Sequence, residues 1–111
     1  MHEMRLHNSP FNLIKSGTKT IELRLNDEKR SLIKVGDKIE FTNRITEEKI
    51  VVEVINLHKY DSFFELYKHF DKVSIGYAED EEANPDDMSQ YYSKEDILKY
   101  GVVGIEIEVT N

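Results

Sequence analysis

The stretch SGTKTIELRL, residues 16–25, decides how the chain is read. From Thr20 to Asn26 it alternates strictly, with Ile21, Leu23 and Leu25 on one side and Thr20, Glu22, Arg24 and Asn26 on the other. That is the period of a strand with one apolar face. Glu22 and Arg24 share the polar face. Lys19, three residues before Glu22, has the wrong parity to join them on a regular strand. The three charges can line one site only if Lys19 stands in a loop ahead of the strand, or if a bulge intervenes. Gly17 and Thr18 make that stretch a candidate loop.

The surrounding pattern is mixed and β-rich. Residues 2–7 read as a first strand. Ser9-Pro10 signals a helix start, with Ser9 as N-cap and Pro10 in the first helical position, and Gly17 as the stop. Gly36-Asp37 marks a turn before a strand carrying Ile39 and Phe41, and residues 49–58 form a long strand rich in Val and Ile. Ser62 with Glu65, and Ser93 with Asp96, are capping boxes that open two short helices. AEDEEANPDD, residues 78–87, is an acidic loop, and Asn84-Pro85 caps a further helical turn. VVGIEIEV closes the chain as a last alternating strand. The reading is an α+β domain spanning 1–111: a small, five-stranded, mostly antiparallel barrel with short flanking helices.

Composition sets limits. A chain of 111 residues holds one compact domain, and five Phe with six Tyr supply a core. There is no Cys, hence no disulfide framework, thiol nucleophile or zinc–thiolate site. The N-terminus has no signal-peptide core and no run is long enough to span a bilayer, so a cytoplasmic location without membrane contact is expected. His2, His7, His58 and His69 show no metal-ligand spacing. Glu79–Glu82 with Asp86 and Asp87 lack the alternating ligands of a calcium loop and read as a solvated acidic segment. No metal or other cofactor is expected. The net charge of −7 argues against a general grip on nucleic acid. The charge is uneven, however. Residues 1–50 carry ten Lys/Arg against eight Asp/Glu, whereas residues 51–111 carry five against fourteen. A local cationic site belongs to the first half.

GTKTIELR, residues 17–24, resembles the G-x-K-x-x-E-x-R signature of the ASCH domain, a family of the PUA-like superfamily. PFNLIKSG before it, IKVGDKIEF after it and YYSKEDILKYGVVGIEI at the end stand in the order such domains show. The resemblance implies a PUA-like β-barrel that binds RNA or a nucleotide-like small molecule in a cleft lined by Lys19, Glu22 and Arg24. It also implies an alternative, since one branch of the family hydrolyses N4-acetylcytidine and ribonuclease activity is reported in another. In that reading Lys19 and Glu22 are catalytic. Glu22, however, stands where the amidohydrolase branch carries a threonine, and residues 60–87 offer no clear counterpart of its downstream glutamate. A protein-interaction module with purely structural charges is the third reading.

The residue types define what each group can do. Arg24 offers a planar fork for phosphate or a base carbonyl. Glu22 can accept from an exocyclic amine, or act as a base if burial raises its pKa. Lys19 can bind phosphate, stabilise an oxyanion or serve as a base. Lys29, Arg30 and Lys34 can extend a cationic rim, and Tyr91 and Tyr92 can stack a base.

Overall fold

The computed structural model describes residues 1–110; the expected unit ends on Asn111, which lies outside the described residues. In chain order the elements are β1 (His2–Leu6), α1 (Asn8–Lys15), β2 (Ile21–Leu25), β3 (Lys38–Asn43), β4 (Lys49–Tyr60), α2 (Phe63–Tyr67), α3 (Lys94–Tyr100) and β5 (Val102–Val109), with 3-10 turns at Arg30–Leu32 and Pro85–Gln90. The strands form one mixed sheet in the order β1-β3-β4-β5-β2, curled into a half-barrel. Only β1 and β3 run parallel; the other pairs are antiparallel. The expected α+β, mostly antiparallel barrel is therefore what forms.

Local signals place the helix starts. Ser62 accepts a hydrogen bond from the Glu65 amide at 3.1 Å, and Ser93 one from the Asp96 amide at 3.2 Å. Asn84 accepts from the Asp86 amide at 3.0 Å. The first helix departs from expectation. It begins at Asn8, His7 takes the N-cap position, and Pro10 sits third in the helix. The cause is Asn8, whose Oδ1 accepts from the buried Asn43 side chain at 2.9 Å and from Asn12 at 3.1 Å. Pro10 is tolerated there because a first-turn N–H has no helical partner to lose.

Two apolar clusters divide the molecule. Phe11, Ile14, Ile39, Phe41, Val52, Val54, Val103 and Ile105 fill the concave side of the sheet. Ile21, Leu23, Phe63, Leu66, Ile75 and Val102 pack on the convex side, beneath α2 and the segment after it. The register of β2 on β5 decides where the charges go. Glu22 lies opposite Ile105 and Arg24 opposite Val103, both of the concave cluster, whereas Leu23 lies opposite Gly104. Directly opposed residues share a face. The charged face of β2 therefore points into the barrel, and its apolar face points out under helices. Both faces of β2 are therefore largely buried.

The edge strands β1 and β2 close the barrel through side chains. Leu6 on β1 turns its carbonyl toward the start of the β3–β4 turn, accepting from the Arg44 amide at 2.9 Å. Glu3 and Arg5, of opposite parity, turn theirs to the seam. There Arg24 Nη2 donates to Arg5 O at 3.3 Å and Lys29 Nζ to Glu3 O at 3.4 Å.

Gly104 sets the spacing between β5 and α2. A Cβ there would lie 3.0 Å from Ile21 Cγ2 and 3.4 Å from Leu66 Cδ1. Gly104→Val overpacks this contact and will cost roughly 1–3 kcal/mol of stability. Urea unfolding followed by circular dichroism measures this, and an unchanged midpoint would remove the close approach as a determinant of the fold.

Candidate functional site

The entry to β2 releases Lys19 from strand parity. Gly17 ends α1 at φ +83°. The Thr18 and Lys19 amides then both donate to Leu13 O at 3.0 Å, and the Thr20 and Ile21 amides to Ser74 O at 3.0 Å. Residues 18–20 thus lie in a bent approach, anchored on one side to α1 and on the other to the segment after α2. Lys19 Nζ reaches Glu22 Oε1 at 3.1 Å, while Arg24 Nε reaches Glu22 Oε2 at 2.8 Å. The three charges converge, with the lysine in the loop that its spacing demanded.

Glu22 is only 4% exposed. Burial by itself pushes its carboxyl pKa up, but the charges and hydrogen bonds of Lys19 and Arg24 outweigh that and hold it below the ordinary carboxylate range. Burial opposes the charge on Arg24 as well, and Glu22 together with Tyr92 more than offsets it. Gly76, at φ +113°, completes the arrangement. A Cβ there would stand 3.2 Å from Lys19 Cδ, so the glycine lets the lysine stem lie flat against the chain.

The triad sits in a cleft of about 760 Å³ between the β1–β2 side of the barrel and residues 75–92. Small-molecule sites span roughly 300–1,000 Å³. Lys19, Glu22, Arg24, Arg30 and Tyr92 all line it. Arg30 is held by Asp27, whose Oδ2 lies 2.9 Å from its guanidinium, while its Nε is buried without a protein partner. Tyr92 stacks on Phe63 at 5.9 Å between ring centroids, which makes it a fixed wall. Tyr91 beside it is 59% exposed and presents the more open ring. Lys29 is not among the lining residues; it is committed to the seam at Glu3 O. Lys34 is exposed and also lies outside the cleft.

Several lining groups escaped sequence reasoning. Arg44 follows Asn43, whose Oδ1 accepts from the Ile45 amide at 2.8 Å and shapes the turn, and its own amide bonds Leu6. This brings it beside Arg5, itself paired with Glu47 at 3.2 Å across an exposed contact. Opposite them stand Tyr67, Tyr77 and Asp87. The acidic loop is accordingly not all solvated. Glu79–Glu82 are exposed, but Asp87 turns inward and accepts from Tyr77 OH at 2.7 Å. No local spacing announces these contacts, which depend on how the chain folds back. Among the described residues no three His, Cys, Asp or Glu side chains are grouped as a metal requires, and no helix is long and apolar enough to cross a membrane.

The sequence pattern of the ASCH domain matches residues 4–111. The chain belongs to the ASCH domain family. The crystal structure of hypothetical protein PH0355 is 36% identical, covers 97% of each chain and superposes with a TM-score of 0.82. The solution structure of protein PF0455 from Pyrococcus furiosus is 35% identical over 99% of this chain and 97% of its own, with a TM-score of 0.72. A variant of the Zymomonas mobilis ASCH protein shares the fold at 14% identity, over 100% of this chain and 76% of its own, with a TM-score of 0.64. No curated protein matches the sequence. Gly17, Lys19, Glu22 and Arg24 all fall within the matched residues, and the three charged ones line the cleft.

Removing the Glu22 charge leaves two largely buried cations without a counter-charge. Glu22→Gln will lower the unfolding free energy by about 3 kcal/mol at neutral pH. Because the native pKa is depressed, the unfolded chain binds the extra proton first. The stabilisation is complete above the ordinary carboxylate value of 4.5 and is lost as pH falls through the native value. The gap between wild type and variant therefore narrows on acidification. Urea unfolding of both proteins across that range checks it, and a gap independent of pH would contradict the ion-pair assignment.

Proposed function

We propose that this ASCH domain binds single-stranded RNA, seating one nucleotide in the cleft with its phosphate on Lys19 and Arg24. The observation that carries the reading is the hydrogen-bond inventory of the triad. Glu22 has both oxygens engaged, one by each cation. Lys19 keeps two ammonium donors, and Arg24 keeps those not given to Glu22, Arg5 O or Tyr92. Two cations around one carboxylate leave a net positive charge, and both cations line the cavity. A planar guanidinium beside a point-like ammonium suits a phosphate group.

The surroundings agree. Arg5, Arg30 and Arg44 border the same cleft and can follow a sugar–phosphate backbone. The open ring of Tyr91 supplies a stacking face of the kind single strands use. Glu81 borders the cleft on the side of residues 75–92, and with its exposed neighbours Glu79, Asp80 and Glu82 it disfavours a phosphate there and leaves the arginine side as the approach of a polyanion.

The same inventory weighs against Glu22 as a proton carrier. A carboxylate with a depressed pKa and both oxygens paired is a poor general base. The acceptor role that its residue type offered toward a base amine is likewise taken up by its two neighbours. Glu22 acts as a positioning residue that holds Lys19 and Arg24 at a fixed separation.

Fluorescence anisotropy with a labelled eight-nucleotide single strand at two salt concentrations tests the proposal. Arg24→Ala will weaken binding about tenfold or more, the worth of a charge-assisted hydrogen bond. Arg44→Ala, an exposed rim change, will reduce the slope of log affinity against log salt by about 0.7. Lys59→Ala, on the exposed surface of β4, will do neither. Absence of salt-dependent binding, or binding indifferent to both cleft changes, would overturn the proposal.

A further inference from the structure

One part of each wall of the cleft differs from the other in hydrogen-bonding polarity. The barrel side presents Lys19, Arg5, Arg24 and Arg44, which donate only. The far side carries a hydrogen-bond relay with a fixed direction. Tyr77 has one hydroxyl hydrogen. Its oxygen lies 2.7 Å from Asp87 Oδ2 and 3.1 Å from Asn84 O, a carboxylate and a carbonyl that accept. The hydrogen is therefore committed to them. Tyr67 OH lies 2.9 Å from Tyr77 OH, so in that contact Tyr67 must donate and Tyr77 accept. Tyr67 is left with lone pairs alone to offer a ligand. Asp87 retains Oδ1 as a free acceptor, since only its Oδ2 is engaged by Tyr77.

The relay is fixed in place. The two tyrosine rings meet edge to face at 5.9 Å, and Gly76, next to Tyr77, lies against the Lys19 stem. Burial, followed by the hydrogen bond with Tyr77, holds the Tyr67 phenol above its usual range, so it remains a neutral hydroxyl and does not reverse the relay.

We infer that the Tyr67–Tyr77–Asp87 wall reads the edge of the bound base and selects one that carries an exocyclic amine over uracil. Cytosine presents an amine donor where uracil presents a carbonyl acceptor. The acceptor pair formed by the Tyr67 oxygen and Asp87 Oδ1 matches the first and is left facing a second acceptor by the other, which leaves polar groups unpaired in the cleft. The assignment rests on the proposed nucleotide binding. It adds a specificity that the cationic wall cannot supply, because phosphate contacts are the same for every base.

Eight-nucleotide oligocytidylate and oligouridylate carry equal charge and differ at the group in question. Their affinities for the wild-type protein, measured by competition anisotropy, are expected to differ by about tenfold to a hundredfold in favour of oligocytidylate. Tyr67→Phe removes the acceptor oxygen and keeps the ring, and Asp87→Asn introduces a donor. Each will narrow that ratio while leaving the salt dependence of binding unchanged. Equal affinities, or a preference for oligouridylate, would overturn the inference and leave the binding proposal standing. A cytidylate preference that survives both substitutions would place the reading elsewhere and overturn it too. If neither oligonucleotide binds, the nucleotide reading falls and the inference with it.

Discussion

Glu22 is a carboxylate on the concave face of a barrel strand, among residues that fill an apolar core. Removing an ion from water costs several kcal/mol, and attraction from a partner repays this only when the geometry and the remaining hydrogen bonds are good. Here both oxygens are met, by Lys19 at 3.1 Å and Arg24 at 2.8 Å. Much of the neighbouring structure follows from that requirement. Lys19 must leave strand parity to reach Glu22, so the chain bends at Gly17 and anchors to Leu13 and Ser74. The Lys19 stem needs a flat surface, which Gly76 provides. Arg24, with Nε spent on Glu22, spans the seam to Arg5 O and joins the two edge strands. A well-packed apolar trio would serve stability as well or better. What such a trio could not supply is a fixed pair of cations with donors to spare at the floor of a cleft.

The charge asymmetry of the sequence becomes a spatial one. Cations from β1, the β2 approach and the β3–β4 turn collect along one wall, and the tyrosines and Asp87 of residues 67–87 form the other. The cleft exists where the cationic first half of the chain meets the acidic second half. A net charge of −7 is therefore compatible with a polyanion-binding site, because the local field at the triad differs from the global one.

How much of this was legible depended on the range of each interaction. Caps at Ser62, Asn84 and Ser93 rest on contacts two or three residues away, and the sequence displays them. The strand at 21–25 was legible from its period, and the ASCH signature from residues 17–24. Alternation could not say which face of β2 looks inward. An apolar face normally marks the inside, but here it is covered by α2 from without, and the charges took the concave side. Arg44, Tyr67 and Asp87 were invisible as site residues because their neighbours across the cleft are distant in sequence. Lys29 looked like a rim cation; its closeness to the signature along the chain did not reveal that the β1 edge would claim it.

The most direct test of the central claim, that the Glu22-clamped pair forms a phosphate-binding floor, is an NMR titration of the labelled protein with a short single-stranded RNA. Arg24 Nε–H, engaged by Glu22, gives a resonance at the floor itself, and the Gly76 amide reports on the Lys19 stem. Both are expected to shift together with the Tyr77 and Tyr91 amides, saturating with one midpoint. Shifts confined to the exposed surface of β4 around Lys59, with Arg24 and Gly76 unmoved, would contradict that claim.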